Sequence, residues 1–297
     1  DAVDLAQIVS TWGTKGGSVE SDINGDGSVD GIDLAIVLGA WGVCPDPTWG
    51  TVLEWTPDPA VVTDANLRAA ITATNLPWRV RDNGTNIEML LVPDGIFTMG
   101  CIPGDAECFS DESPAHQVIL TNAIYMGKTE VTQAQWTAKM GSNPSGFAGQ
   151  PNNPVEQVSW NMIQGFNSAT GLRLPTEAEW EYACRAGTTT VRYGDVNDIA
   201  WYNGNAGGTT HAVAGKLPNA LGLYDTLGNV WEWCQDWYEP YASGSVTNPT
   251  GPGTGSDRLL RGGCWYGNSN HCRGSQRFNF PPSSAYDNFG FRAVRTP

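Results

Sequence analysis

Positive charge is scarce in this chain. Of 297 residues, 16 are Lys or Arg against 31 Asp and Glu, a net charge of −15, and His occurs only three times. Such a surface cannot neutralise phosphate, which excludes nucleic acid and anionic membrane as partners. Long apolar runs are missing too. The longest, residues 34–43, is too short to cross a bilayer, so no membrane insertion is expected. No Ser-His-Asp order, phosphate loop or dinucleotide fingerprint occurs, and His116, His211 and His271 are too far apart for a zinc pattern. What is abundant is glycine (36), proline (19) and tryptophan (13). Turn-formers with that many large apolar rings describe a loop-rich folded body, not a disordered one. The chain opens on Asp1 without a signal sequence, as a processed or excised chain would. Seven cysteines in such a composition point to an oxidising, extracellular compartment, and the odd number leaves one unpaired or intermolecular.

The acids cluster. In "DINGDGSVDGID", Asp22, Asn24, Asp26, Ser28, Asp30 and Asp33 occupy positions 1, 3, 5, 7, 9 and 12 of a calcium loop, with Gly27 at the sharp turn. Oxygen ligands at alternate positions converge on a hard cation only when the chain curls around it. "DLAQIVSTWG" (4–13) repeats as "DLAIVLGAWG" (33–42), and apolar residues in both recur at helical spacing. The pattern resembles a dockerin, a duplicated calcium-loop-plus-helix module, here with its first copy truncated. We therefore expect an all-α calcium module over residues 1–43. Its seven acids and one lysine should repel one another without the ion.

Residues 44–85 are expected to connect. "CPDPTWGTVLEWTPDP" (44–59) has four prolines and reads as an extended linker; Cys44 has no evident partner within it. A short helix capped by Thr63 or Asp64 follows, then strands at 78–82 and 87–92 around the turn "NGTN". Beyond residue 86, short elements alternate with irregular backbone. Thr132 with Gln135, and Thr176 with Glu179, have capping-box spacing, and Ser159 precedes a third helix. Glu177, Glu179 and Glu181 crowd one helix; capping explains Glu179 more simply than acid–base chemistry does.

Seven segments, "VPDGIFTMG", "TEVTQAQW", "NPVEQVSW", "RLPTEAEWEYACRAG", "GLYDTLGNVWEWCQDW", "RLLRGGCW" and "NFGFRAV", stand in the order found in the formylglycine-generating enzyme (sulfatase-modifying factor) family. Over residues 86–297 the chain resembles that family. The resemblance implies an α+β, loop-rich variant of the C-type lectin fold. Active members bind copper(I) through two cysteines after the "GGSW/Y" segment and oxidise a substrate cysteine to formylglycine. Soft thiolates suit that ion. Here Gly267 stands where the first of those cysteines belongs, and Cys264 falls three residues early.

The resemblance also bears on the remaining sulfur. Cys272 matches a family cysteine that bridges to the one in "EYAC", here Cys184. Cys234 with Cys264, and Cys101 with Cys108, are then candidate second and third bridges, so that Cys264 and Cys272 belong to different bridges. By the same resemblance, "LYDTLGNVWEW" implies a calcium site formed by the side chains of Asp225 and Glu232 and the carbonyls of Gly228 and Val230. The cluster Trp231, Trp233, Trp237, Tyr238 and Trp265 is expected to be mainly core, with any exposed rings free to stack on sugars.

Three functions are compatible with these features. The first is a non-catalytic extracellular calcium-binding module for scaffolding, adhesion or self-assembly, its partners other copies of itself or a cell-surface or matrix protein. A half-module completed by a neighbour would give head-to-tail contacts of the kind that build filaments. The second is a copper-dependent oxidoreductase acting on a protein cysteine, and the third a glycan-binding lectin-like module.

Overall fold

The computed structural model describes residues 28–29 and 47–297. Of the expected N-terminal loop ligands only Ser28 lies within that range. Asp22, Asn24, Asp26, Asp30, Asp33, the two repeat helices and Cys44 lie outside the described residues. Contacts divide the chain after Thr48, and the second unit spans Trp49–Pro297.

The architecture of this second unit is mixed α+β with three small sheets. Strands β1 (Gly50–Glu54), β2 (Arg79–Asp82), β3 (Glu88–Val92), β6 (Ile124–Gly127) and β12 (Val294–Arg295) form one sheet in that spatial order. Strands β4 (Gly95–Met99), β5 (His116–Leu120) and β8 (Val246–Thr247) form a second. The third runs β10 (Arg277–Phe280), β9 (Arg258–Arg261), β7 (Trp231–Trp237), β11 (Phe289–Gly290). Helices α1 (Ala65–Ala73), α2 (Gln133–Met140), α3 (Trp160–Thr170), α4 (Glu177–Arg185) and α5 (Val196–Ile199) lie between them in sequence.

One expectation changes. The stretch read as a linker contains β1, which pairs antiparallel with β2 from Gly50↔Asp82 onward, so this unit begins near Trp49, not at 86. The prolines mislead because they flank the strand instead of interrupting it, where no ladder N–H is required of them.

Local signals set the helices. Asp64 caps α1 through the N–H groups of Asn66 and Leu67. Thr132–Gln135 and Thr176–Glu179 each form a reciprocal capping box, and Ser159 accepts from the Met162 N–H. Glu179 also takes a bidentate bond from Arg173, at 2.7 and 2.8 Å. Packing sets the rest. Trp136 of α2 stacks on Phe166 of α3 with centroids 5.6 Å apart, and Phe291 meets both edge-on.

Arg261, Arg273 and Arg292 are fully buried. Each has a buried carboxylate partner: Glu181, Glu112 and Glu232 respectively. A charge leaves water only when paired and hydrogen-bonded, so these pairs fix which loops can meet.

Cysteine use also differs from expectation. Cys101 and Cys108 are bridged, but Cys184, Cys234, Cys264 and Cys272 are buried free thiols, and the Cys184–Cys272 and Cys234–Cys264 bridges are not formed. Cys184, Cys234 and Cys272 instead pack as small apolar groups with Trp180, Leu227 and Leu259.

Candidate functional site

Strand β9 leads into the "GGCWYGNSNHC" loop through two left-handed glycines, Gly262 (φ 97°) and Gly263 (φ 85°). A Cβ on Gly262 would lie 2.8 Å from the Thr226 carbonyl oxygen; one on Gly263 would lie 3.1 Å from Cys272 Sγ. Only glycine lets the loop turn this tightly. Both sulfurs are thereby drawn inward. Cys264 is 1% exposed and accepts a bond from Asn288 Nδ2 at 3.5 Å; Cys272 is 0% exposed. Burial raises the Cys264 thiol above its ordinary range. Burial, and secondarily Cys264 itself, pushes Cys272 up to about 12. Both are therefore neutral thiols near pH 7 and poor nucleophiles.

Outside the sulfurs the loop presents rings. Tyr266 and Tyr286 are 53% and 50% exposed, with Phe278 exposed nearby. They fall into two ring groups: Trp265 meets Tyr266 at 5.2 Å and Phe147 at 5.4 Å, while Phe280 meets Tyr286 at 5.5 Å and Phe278 at 5.2 Å. Trp265 Nε1 donates to the Asp287 carbonyl at 3.1 Å. Glu156 accepts the N–H groups of Gly146 and Phe147, holding the Phe147 loop in place. The Trp265–Asp287 bond ties the two ring groups together, and Asn203 Nδ2 donates to the Tyr266 carbonyl at 3.3 Å. Of the aromatic residues singled out in the sequence, Trp231 and Trp233 are buried core, while Trp237, Tyr238 and Trp265 are half-buried. His271 sits beside Trp231, His211 stacks on Trp201, and His116 packs against Tyr241, so the three histidines share no site.

The second feature is the Asp225–Glu232 loop, where Asp225, Gly228 and Asn229 all adopt positive φ. Asp225 is 1% exposed. Its Oδ2 accepts the Ala214 N–H at 2.6 Å, while its Oδ1 is buried with no hydrogen-bond partner. Glu232 is buried on Arg292 Nη2 (2.7 Å) and Trp180 Nε1 (2.7 Å). Among the described residues no hydrogen bond ends on the carbonyl oxygens of Gly228 or Val230. A third carboxylate, Glu130, is fully buried alongside, accepting from Asn229 Nδ2 at 2.8 Å and the Val230 N–H at 3.2 Å. Burial, followed by Asp225 and Glu232, raises Glu130 well above the ordinary carboxylate range, and burial lifts Asp225 to about 6. Glu130 escapes a sequence reading because it lies a hundred residues upstream in a capping motif. Its only local signal is an acid between β6 and the capping box of α2.

Residues 75–297 match the sulfatase-modifying factor enzyme 1-like domain. The chain belongs to that family. This sulfatase-modifying-factor domain is 37% identical over 220 residues to the formylglycine-generating enzyme of Streptomyces coelicolor, covering 64% of this chain and 70% of that enzyme. It is 32% identical over 238 residues to the serine/threonine-protein kinase pkn1 of Chlamydia pneumoniae, covering 70% of this chain but only 38% of the kinase. Among solved structures it is similar to Treponema denticola variable protein 1, with a TM-score of 0.65, 32% identity and coverage of 71% of this chain and 95% of that one. It is also similar to PvdO from Pseudomonas aeruginosa, with a TM-score of 0.67, 25% identity and coverage of 74% and 98%. Formylglycine-generating enzymes and other proteins thus share this domain, and the residues of the site must decide its chemistry.

Among the described residues, the one set of three metal-ligating side chains with closely converging ligand atoms is Asp105, Cys108 and Glu112. It is no metal site, because Cys108 is bridged and both acids bind Arg273. The Asp225 loop differs. An orphaned buried carboxylate oxygen, two free carbonyls and a local excess of buried acid fit a hard cation that takes mixed oxygen ligands.

Proposed function

We propose that this domain is a non-catalytic, calcium-stabilised binding module that acts outside the cell in adhesion or scaffolding. The supporting observation is the state of the loop that carries the family's copper chemistry. Gly267 stands at one sulfur position, and both neighbouring cysteines are buried, protonated thiols. In their place the surface offers the Tyr266–Phe278–Tyr286 face, built for recognition through rings and amide groups. The partner on this reading is a cell-surface or matrix protein or a further copy of the chain, and the truncated dockerin-like repeat is a second calcium module. The Cys101–Cys108 bridge agrees with an oxidising compartment. A glycan is the alternative ligand, favoured by the exposed rings beside Asn and Asp side chains. A glycan array screened in calcium, with Tyr266→Ala and Tyr286→Ala as controls, separates sugar from protein recognition.

The rival reading, a copper oxidoreductase, makes an opposite demand. On our reading the native protein shows no stoichiometric copper(I) binding in a competition titration. Tight one-to-one binding with oxygen uptake in the presence of a thiol peptide would overturn it. Gly267→Cys is the gain-of-function counterpart. Its Cβ would lie 3.5 Å from Cys264 Sγ and 3.2 Å from His271 Nδ1, close contacts that only small shifts need relieve. We expect that variant to acquire copper(I) affinity the native chain lacks.

Calcium at the Asp225 loop would draw on Asp225 and the carbonyls of Gly228 and Val230; Glu232, whose oxygens are held by Arg292 and Trp180, and Glu130 would add negative potential behind them. Chelator is expected to lower the melting temperature, and added calcium to restore it in proportion to the logarithm of its concentration. Asp225→Asn should abolish the part of that response that belongs to this loop.

A further inference from the structure

The Cys101–Cys108 bridge closes the segment after β4 into a small surface loop. Both cysteines are half-buried, and Pro103, Gly104, Ala106 and Glu107 between them are exposed. The loop carries two carboxylates to two arginines. Asp105 binds Arg273 at 2.9 Å, and Glu107 binds Arg192 at 2.7 Å. Glu112, just beyond the loop, also binds Arg273, at 2.6 Å, and its carbonyl accepts the Cys101 N–H at 2.8 Å.

The same two guanidinium groups hold the far end of the "GGCWYGNSNHC" loop. Arg192 donates through Nε to the Cys272 carbonyl at 2.8 Å and through Nη2 to the Ser269 carbonyl at 2.7 Å. Arg273 donates through Nε to the Asn270 carbonyl at 2.6 Å, and Phe109 meets His271 with centroids 6.1 Å apart. Polar bonds and rings thus join the bridged loop to residues 269–273. The Cys272 thiol lies sealed beneath them, 0% exposed. An open chain must give up conformational freedom to present Asp105 and Glu107 together, and the bridge removes that freedom beforehand. The two arginines would respond differently to its opening. Arg273 keeps Glu112, so its buried charge stays paired. Among the described residues Glu107 is the only carboxylate on Arg192, so the tie through Arg192 to the Ser269 and Cys272 carbonyls is the one that slackens.

We propose that the Cys101–Cys108 bridge is a redox-sensitive clasp: opened by a dithiol, it loosens residues 269–273 and exposes the Cys272 thiol. The step is an exchange. One dithiol sulfur attacks the bridge to form a mixed disulfide, and the second displaces it. The bridge takes up two electrons and two protons, leaving Cys101 and Cys108 as thiols and the dithiol as a disulfide. The inference does not depend on the function proposed for the aromatic face.

Iodoacetamide labelling of the whole native chain, resolved by peptide mass, before and after treatment with dithiothreitol and its removal, tests it. With the bridge intact, Cys272 and Cys234 should both label slowly. After reduction Cys101 and Cys108 should label, and Cys272 should label faster by about tenfold or more, because labelling of a sealed thiol tracks the population of the opened form. Cys234, held in β7 between β9 and β11, should not change. Glu107→Gln leaves the bridge in place and alters an exposed side chain; it should speed Cys272 labelling without reductant, though by less. Cys101→Ser combined with Cys108→Ser should match the reduced protein with no reagent present. A bridge that dithiothreitol does not open in the native protein, an unchanged Cys272 rate once it is open, or equal acceleration at Cys234 would overturn the assignment. The comparison of Cys272 with Cys234 stands on the native protein even if the double variant does not fold.

Discussion

Replacing Arg261 by alanine is expected to lower the melting temperature by about 10 °C or more. Arg261 is wholly buried between β9 and α4, and its guanidinium donates to Glu181 and to the carbonyls of Gly274, Ser275 and Gln276. Its removal strands a buried carboxylate and three carbonyls and opens a void. Breaking one side of a buried pair costs about 3–5 kcal/mol, and in a domain of this size each kcal/mol shifts the midpoint by about 2–4 °C. Arg261→Lys keeps the charge but not the fork, and should fall between the native chain and alanine. Thermal unfolding followed by circular dichroism measures this. A shift of only a degree or two would mean that Glu181 is sufficiently served by Arg185 alone.

The second large effect is a dependence on pH. Burial, followed by the charge of Glu177, pushes Asp236 from an ordinary 3.8 up to about 8. The folded state therefore holds a proton that the unfolded chain releases. The contribution to stability is fully present below about pH 4, falls as pH rises, and is gone above about pH 8. Glu177 shifts the opposite way, held low by Arg277 and Arg261 against its burial, so its contribution is lost only in acid. In chelator, which would strip the calcium proposed for the Asp225 loop, the native chain should lose stability on the order of 3 kcal/mol between pH 5 and 8 through Asp236. Asp236→Asn should remove the Asp236 share of that slope, leaving the share contributed by the raised Glu130 and Asp225, and leave the variant the more stable protein in mild alkali. Denaturant melts across the range would show it. A native profile that rises with pH would contradict the assignment.

Much of the fold is legible in the chain because its signals are local. The capping residues Asp64, Thr132, Ser159 and Thr176 act within three positions of themselves, so their spacing alone locates α1 to α4. The hairpin of β2 and β3 is equally local: Asp82 accepts from the N–H and hydroxyl of Thr85 to close the turn. The Asp225 loop comes from the family resemblance alone, which places its candidate ligands within eight consecutive residues. Cysteine pairing is not readable in this way, because it depends on where Sγ atoms point. Cys184 and Cys272 share an apolar cluster without bonding.

By itself the sequence determined the family, the helix ends and the absence of a cysteine at 267. Each of these is a matter of residue identity or short spacing. Only the tertiary structure decided that β1 belongs to the main body, that Glu130 stands behind the Asp225 loop, that both loop thiols are sealed, and that Asp236 is buried. These depend on which side chains meet across a hundred residues of chain. Burial and charge pairing settle such meetings, and both are properties of the assembled core.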